Sequence, residues 1–500
     1  MDIEEKLKLM KVMFNPKSIA IFGGTDNIMK IGAFSILNIR GCGYTKEVYA
    51  INPNPKYEAK KIFGIEVYPS LDKCPKPVDL VGIVVPPNAV IDTVKQAIEY
   101  GVKTAAIITA GFGEVKSQTG QKRKKELLKL TEDAGMIFVG PNSMGFYTSE
   151  DKTSPLHLGF GIMTPRPGNV AIISQSGTIG TLLCSTVKHI KYFVSSGNEA
   201  SLVLEDYLEY FARNEEVDVI SLFVEGLRDG ERFKRLTSEI TKTKPIVFLK
   251  AGFTQSGTRA ASSHTGSISG SRNIYRSLCK QKNIIYTENI TEFIYLVKSA
   301  LYLLPLSDHN PLRVGIISGG GGFAVHLTDL CEKYGLNVVN LQNQPDGQKL
   351  IDEISEHLPY FWSKNNPFDL VATRDFTLFP KLVKIIFKYD FFDLILTQTS
   401  ATFKLFLNTF DPMDELGQRM KKLMASSMDG IVRDIKKQEI NISLKYPDKK
   451  IVYISPIADL NDPTFEDYDK NEIMVFGGNP EMSIRVIRKL HEYQRNIRKI

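Results

Sequence analysis

Five hundred residues, 43% hydrophobic and 24% charged, predict a globular chain of about three domains at ordinary domain size. The 63 basic residues barely outnumber the 56 acidic ones, for a net charge of +7; the densest basic run, 121–125, reads as the solvated face of a helix, so no nucleic-acid surface is expected. Five cysteines, at 42, 74, 184, 279 and 331, have no Cys-x-x-Cys spacing, which excludes a zinc ribbon and fits a reducing cytoplasm. The charged start MDIEEKLKLMKVMF lacks an apolar core of signal-peptide length. The most apolar long stretch, 293–306, contains Lys298 and is too short to span a bilayer, so no membrane segment is expected.

Three segments open alike, with an apolar strand, a glycine-bearing loop and a helix: SIAIFGGTDNI from Ser18, NVAIISQSGTIGTLLC from Asn169 and RVGIISGGGGFAVHLT from Arg313. Each begins a fresh alternation of strands and helices, which predicts an α/β protein of three doubly wound domains. Proline-punctuated joins near 153–168 and 305–311 place the domains at 1–150, 151–308 and 309–500.

In the first domain strands are expected at 18–22, 47–51, 80–85, 104–108 and 136–139, with helices at 88–100 and 121–134. The loop FGGTDNIMKIG departs from Gly-x-Gly-x-x-Gly. Where an acid would hold an adenosine ribose 2′-hydroxyl, the chain has Asn52-Pro-Asn-Pro-Lys56, followed by Lys60 and Lys61. That pattern favours a ribose carrying a phosphate, as in NADP or coenzyme A. Three more loops at strand ends, Val85-Pro86-Pro87, Thr109–Gly113 and Gly140–Gly145, would line one crevice; each read alone is ordinary turn chemistry.

The second domain should carry strands at 169–174, 192–195, 217–224, 245–249 and 284–286. After the first, Ser174-Gln-Ser-Gly-Thr178 leads into a helix from about Ile179, whose hydroxyls and free N–H groups suit an anion. After the strand 245–249 comes KAGFTQSGTRAASSHTGSISGS, a small-residue loop at the carboxyl end of a strand, where open α/β sheets keep their chemistry. Its one imidazole, His264, stands among Ser263, Thr265 and Gly266 with a helix expected to start near 269–272. Hydroxyls, backbone N–H groups and a helix start suit an imidazole that takes up and releases a phosphoryl group. Glu225 closes the strand 217–224; if that strand neighbours 245–249, its carboxylate could accept Nδ1–H of His264 and leave Nε2 as nucleophile. Glu225 could equally be a surface residue opening the turn Gly226-Leu-Arg228. The third domain offers Gly319–Gly322 and Asn366-Pro-Phe-Asp369 but no nucleophile–base set, and 411–450 reads as helical with a loose loop after it.

These residues resemble the α subunit, or α portion, of the NDP-forming acyl-CoA synthetases, relatives of succinyl-CoA synthetase; the archaeal ADP-forming acetyl-CoA synthetases are most similar. The resemblance is carried by KPIVFLKAG from Lys244 with RAASSHTGS from Arg259, similar to the family's phosphohistidine segment. It is supported by Lys30-Ile-Gly32, Asn52-Pro53, Val85-Pro86, Ala110-Gly-Phe112, Gly140-Pro-Asn142, Ser174–Gly177, Gly197-Asn198 and Asn366–Asp369. It implies a Rossmann-like CoA-binding domain followed by two flavodoxin-like ligase domains. His264 would be phosphorylated, with Glu225 its orienting acid. Ser176, Gly177 and Thr178, with Ser263, Thr265 and Gly266, would bind phosphate; Gly24, Thr25, Lys30, Asn52, Pro86, Thr109 and Asn142 would hold CoA. Departures at Gly24-Thr25, Ser143-Met144 and Glu199-Ala-Ser201 touch the acyl pocket and leave the acid unnamed.

The resemblance also implies a cycle: acyl-CoA and phosphate give acyl phosphate and CoA, the phosphoryl group passes to His264, and then to ADP. The chain has no Gly-x-x-x-x-Gly-Lys-Ser/Thr and no ATP-grasp module before Ile500, so a separate ATP-grasp β subunit is expected, in an α2β2 heterotetramer, holding ADP or ATP and Mg²⁺. No metal site is expected on this chain. The alternatives are a non-catalytic CoA-binding regulatory protein of the same fold and an NADP-dependent oxidoreductase.

Overall fold

Every expected strand of the first two domains forms, and helical crossovers join most of them, as parallel pairing requires. The computed structural model describes residues 1–498 apart from 116, 255, 257–270, 372, 374 and 376, with residue 403 described by its backbone alone. The described residues divide into two compact units, Met1–Val297 and Lys298–Ile500.

The first unit contains two sheets. One is built from β1 (Ser18–Phe22), β2 (Glu47–Ile51), β3 (Lys61–Ile62), β4 (Ile65–Tyr68), β5 (Leu80–Ile83), β6 (Thr104–Ile107) and β7 (Ile137–Val139), in the order β3-β4-β2-β1-β5-β6-β7. All pairs are parallel except β3–β4. The chain enters at β1, builds outward through β2, and returns to the other side of β1 with β5. The crevice between the loops after β1 and β5 is therefore the switch point at which open sheets bind ligands. β1, β5 and β6 are buried along their whole length, as helix-covered parallel strands must be. The helix Val90–Glu99 turns Val90, Val94 and Ala97, spaced as one helical face, into the core.

The second sheet comprises β8 (Gly145–Thr148), β9 (Leu156–Gly159), β10 (Arg166–Ser174), β11 (His189–Ser195), β12 (Val219–Val224), β13 (Ile246–Lys250) and β14 (Ile285–Thr287), ordered β14-β13-β12-β10-β11-β8-β9. β8 pairs antiparallel with both β11 and β9, so residues 145–148, grouped from sequence with 1–150, belong to this sheet. Its switch point lies between β10 and β12. β12 and β13 are direct parallel neighbours, with Val224 opposite Lys250. The N-terminal helix Ile3–Phe14, capped by Asp2, inserts Phe14 among Phe146, Tyr192 and Phe211 at ring separations of 5.2–5.5 Å. Its charged composition concealed that anchor.

The second unit carries β15 (Arg313–Ser318), β16 (Asn337–Val338), β17 (Phe368–Asp369), β18 (Leu394–Thr397), β19 (Lys450–Ser455) and β20 (Val475–Gly477), all parallel. β16 and β17 share one edge of β15, at its two ends. Residues 415–445 form one long helix, close to the helical reading of 411–450. No helix among the described residues is long and apolar enough to cross a membrane.

Candidate functional site

A cleft of about 1200 Å³ opens within the first unit at the carboxyl ends of β1, β2, β5 and β6, and continues to the loops after β10 and β11. Thr25, Lys30, Asn52, Pro86, Thr109 and Asn142 line it, together with Ser176, Gly177 and Thr178. The loop after β1 is forced into shape by glycine. Gly23 has φ +86°, and a Cβ there would stand 2.9 Å from the Val84 carbonyl oxygen. A Cβ on Gly32 would stand 2.1 Å from the Gly23 carbonyl oxygen, so the helix Ile31–Gly41 can press its first turn against that loop. The Gly24 carbonyl oxygen accepts from Asn52 Nδ2 at 2.8 Å; of the two adjacent loop glycines, Gly23 lines the cavity and Gly24 does not.

The polar groups of this wall are held in place. Thr25 Oγ1 and the Tyr57 hydroxyl are 2.8 Å apart, and Tyr57 donates to Asp26 at 2.7 Å. That bond comes first in holding the Asp26 carboxyl below its ordinary value. Lys56 pairs with Asp26 at 3.3 Å and lines the cleft with Lys30, whereas Lys60 and Lys61 do not. Two exposed ammonium groups and an asparagine in place of a ribose-binding acid suit a ligand with phosphates on its sugar. Thr109 donates to the Val85 carbonyl at 2.7 Å. Asn142, at φ +57°, gives its backbone N–H to the Thr109 carbonyl at 3.0 Å and its side-chain amide to Asn198 at 3.3 Å.

The other end of the cleft is a helix start. Ser176 caps the helix Gly177–Val187, its hydroxyl accepting from the Ile179 N–H at 3.5 Å, and the remaining first-turn N–H groups are available to an anion. A side chain at Gly177 would strike Met144, with its Cβ 2.3 Å from Met144 Cγ.

Glu225 follows β12 at the same sheet end, and it is buried. Its backbone N–H donates to Gln175 Oε1 at 2.5 Å, as does that of Gly226 at 3.0 Å, which ties this turn to the loop after β10. Lys250, at the end of β13, is equally buried; burial pulls its ammonium down to about 8, against the resistance of the Glu225 carboxylate. Lys250 Nζ lies 4.9 Å from the ring centre of Phe253 and 5.1 Å from that of Tyr275. The expected adjacency of the Glu225 strand and the strand leading to His264 is therefore present. His264, Ser263, Thr265 and Gly266 lie outside the described residues.

Sequence reading gave Gln175, Asn198 and Lys250 only as motif positions and Glu199 only as a departure touching the acyl pocket, and it did not single out Glu114. Glu114 accepts from the Gly111 and Phe112 N–H groups and from the Asn198 amide; burial opposes its charge, yet these donors hold the carboxyl below its ordinary range. Lys250 carried the clearest signal, a cation closing an apolar strand beside a strand that ends in an acid. Among the described residues no group of three or more His, Cys, Asp or Glu side chains is arranged to hold a metal ion.

A cleft at one switch point, continuous with the helix start after β10, is the arrangement of a ligand-binding, doubly wound α/β protein. Two family models agree: a CoA binding domain matches residues 17–149, and a succinyl-CoA ligase like flavodoxin domain matches 167–300. The chain is 36% identical over 369 residues to the α subunit of acetate–CoA ligase [ADP-forming] II of Pyrococcus furiosus, covering 73% of this chain and 77% of that one. It is 34% identical over 397 residues to acetate–CoA ligase [ADP-forming] I of Archaeoglobus fulgidus, covering 79% of this chain and 55% of that longer relative. The chain thus spans about half the length of such longer relatives. Among solved structures it superimposes with a TM-score of 0.77, at 26% identity, on the dinucleotide-forming acetyl-coenzyme A synthetase 1 of Ca. Korarchaeum cryptofilum in complex with phosphate and ADP, covering 98% of this chain and 97% of that one. The chain belongs to the ADP-forming acetate–CoA ligase family, on its α-subunit side.

Proposed function

We propose that this chain is the α subunit of a reversible ADP-forming acid–CoA ligase that works with a separate ATP-grasp subunit in an α2β2 assembly. The observation that carries the reading is one cleft holding both a wall suited to CoA (Thr25, Lys30, Asn52, Lys56) and the helix start at Ser176–Thr178. CoA would lie along the first wall with its thiol end toward the helix start. There the carbonyl carbon of an acyl-CoA is attacked by phosphate, the C–S bond breaks, and acyl phosphate and CoA result. Nε2 of His264 then attacks phosphorus and the P–O bond to the acyl group breaks, releasing the carboxylate. In the last step the phosphoryl group passes to ADP on the partner, which also holds Mg²⁺. Glu225 is assigned to accept Nδ1–H and stabilise the cationic ring, and the N–H groups of the Gly177 helix to steady the phosphate. The relatives named for acetate make acetate the first acid to try. The work is placed in the cytoplasm.

The test is an assay of ATP formation from acetyl-CoA, phosphate, ADP and Mg²⁺, with the chain alone and with its ATP-grasp partner. The chain alone should bind CoA more tightly than dephospho-CoA and form no ATP; the pair should form ATP. CoA binding without turnover beside any such partner would contradict the reading.

A further inference from the structure

We infer that Glu199 is a positioning residue: it fixes the side-chain amide of Gln175 and, through it, the backbone from which the Glu225 carboxylate projects. The inference rests on the ligase reading of Glu225, although its geometry stands apart from it.

Glu199 sits in the turn after β11 at φ +49°, a strained conformation for a residue with a side chain, and that side chain is buried. Its Oε1 accepts from Gln175 Nε2 at 2.9 Å and from Ser196 Oγ at 2.8 Å. Gln175 Nε2 also donates to the Gly226 carbonyl at 2.7 Å, while its Oε1 accepts the two N–H groups of Glu225 and Gly226. An ionised carboxylate can only accept, so only the NH₂ side of the amide can face it. The oxygen is then left for the two backbone donors. A neutral group that can itself donate removes that constraint and lets the amide turn.

The surrounding charges bear on the same turn. Arg228, from the turn after β12, places Nε 3.7 Å from Glu199 Oε2 and also donates to the Asn198 carbonyl at 3.2 Å. Glu205 and Tyr207 face Glu199 from the helix Leu204–Ala212, and Glu114 reaches the turn through Asn198. Burial, helped by the Glu205 charge, pushes the Glu199 carboxyl up to about 7 against the bonds from Gln175 and Ser196 and the charge of Arg228. The clamp is charged above neutrality and loses its charge as pH falls through about 7.

The test is amide hydrogen exchange on the full chain, read on fragments spanning 222–228, for the wild type, Glu199→Gln and Gln175→Ala. Both variants should exchange at Glu225 and Gly226 about 10-fold faster at pH 8, with fragments of the second unit unchanged. With the partner subunit, Glu199→Gln should lower kcat about 10-fold, leave KM for CoA unchanged, and lack the acid limb near pH 7 of the wild type. Wild-type exchange in both variants overturns the clamp; so does acceleration spread over the whole unit, or faster local exchange with unchanged kcat. Faster local exchange in a chain whose wild type transfers no phosphoryl group contradicts the ligase reading and leaves the clamp standing.

Discussion

Glu225 and Lys250 end neighbouring strands, and the Glu225 charge favours the charged form of Lys250. A buried carboxylate without a cation would be driven neutral, and a neutral acid could not orient an imidazole as a hydrogen-bond acceptor. Glu225→Gln should therefore leave CoA affinity within about twofold while slowing phosphoryl transfer about 100-fold, a split that calorimetry and rapid-quench kinetics would resolve. An equal loss in both would assign Glu225 to binding. Lys250 makes a second statement, about stability. Its folded value of about 8 lies below the ordinary 10.5, so between those values the unfolded chain binds more protons and stability rises with pH. Lys250→Met should abolish that rise in urea unfolding between pH 8 and 10. At this scale the sequence exposed Glu225, because an acid closing an apolar strand is conspicuous. It named Glu199 and Gln175 but concealed their link, which comes from a turn at positive φ and from partners 24 and 50 residues away.

The helices show how single contacts set the position of whole elements. Gly32 lets the helix Ile31–Gly41 touch the loop after β1, and its absent Cβ would meet a backbone oxygen that cannot swing aside. Gly32→Ala should cost about 1–3 kcal/mol and weaken CoA binding at least about 10-fold, measured by thermal unfolding and calorimetry on the same protein. In the second unit, Glu439 on the helix Glu415–Lys445 caps the helix Ser400–Thr409 from the side, accepting from the Ser400 N–H at 3.0 Å and from the hydroxyls of Thr399, Ser400 and Tyr468. Burial pushes its carboxyl up to about 7 from 4.5. The folded chain then holds a proton that the unfolded chain has lost, so this stability is present below about pH 4.5 and disappears as pH rises through 7, an effect on the order of 3 kcal/mol. Glu439→Gln, which cannot ionise, should remove that share of the decline in urea unfolding between pH 5 and 8. The expected strands follow from continuous β-branched runs bounded by glycine and proline, and β1 and β2 begin and end where they were expected. β8 and β9 were not expected as strands, since they are short and form an antiparallel hairpin joined to the sheet through β8 and the distant β11.

Across the first unit, loops from both sheets line one cleft, which lets the proposed CoA and phosphate steps share it. Motif order and glycine placement made this family legible from sequence; the positioning network was not, because it joins the loops after β10, β11 and β12, which meet only once that sheet has formed. The proposed cycle turns on one imidazole, His264, carrying a phosphoryl group between two sites. The direct measurement is to incubate the chain and its ATP-grasp partner with ATP labelled in the γ-phosphoryl group and Mg²⁺, then locate the label by mass spectrometry. An acid-labile label is expected on the fragment containing His264, released by adding acetate and CoA and absent from His264→Ala. Label that survives in His264→Ala, or that resists acid, would contradict it.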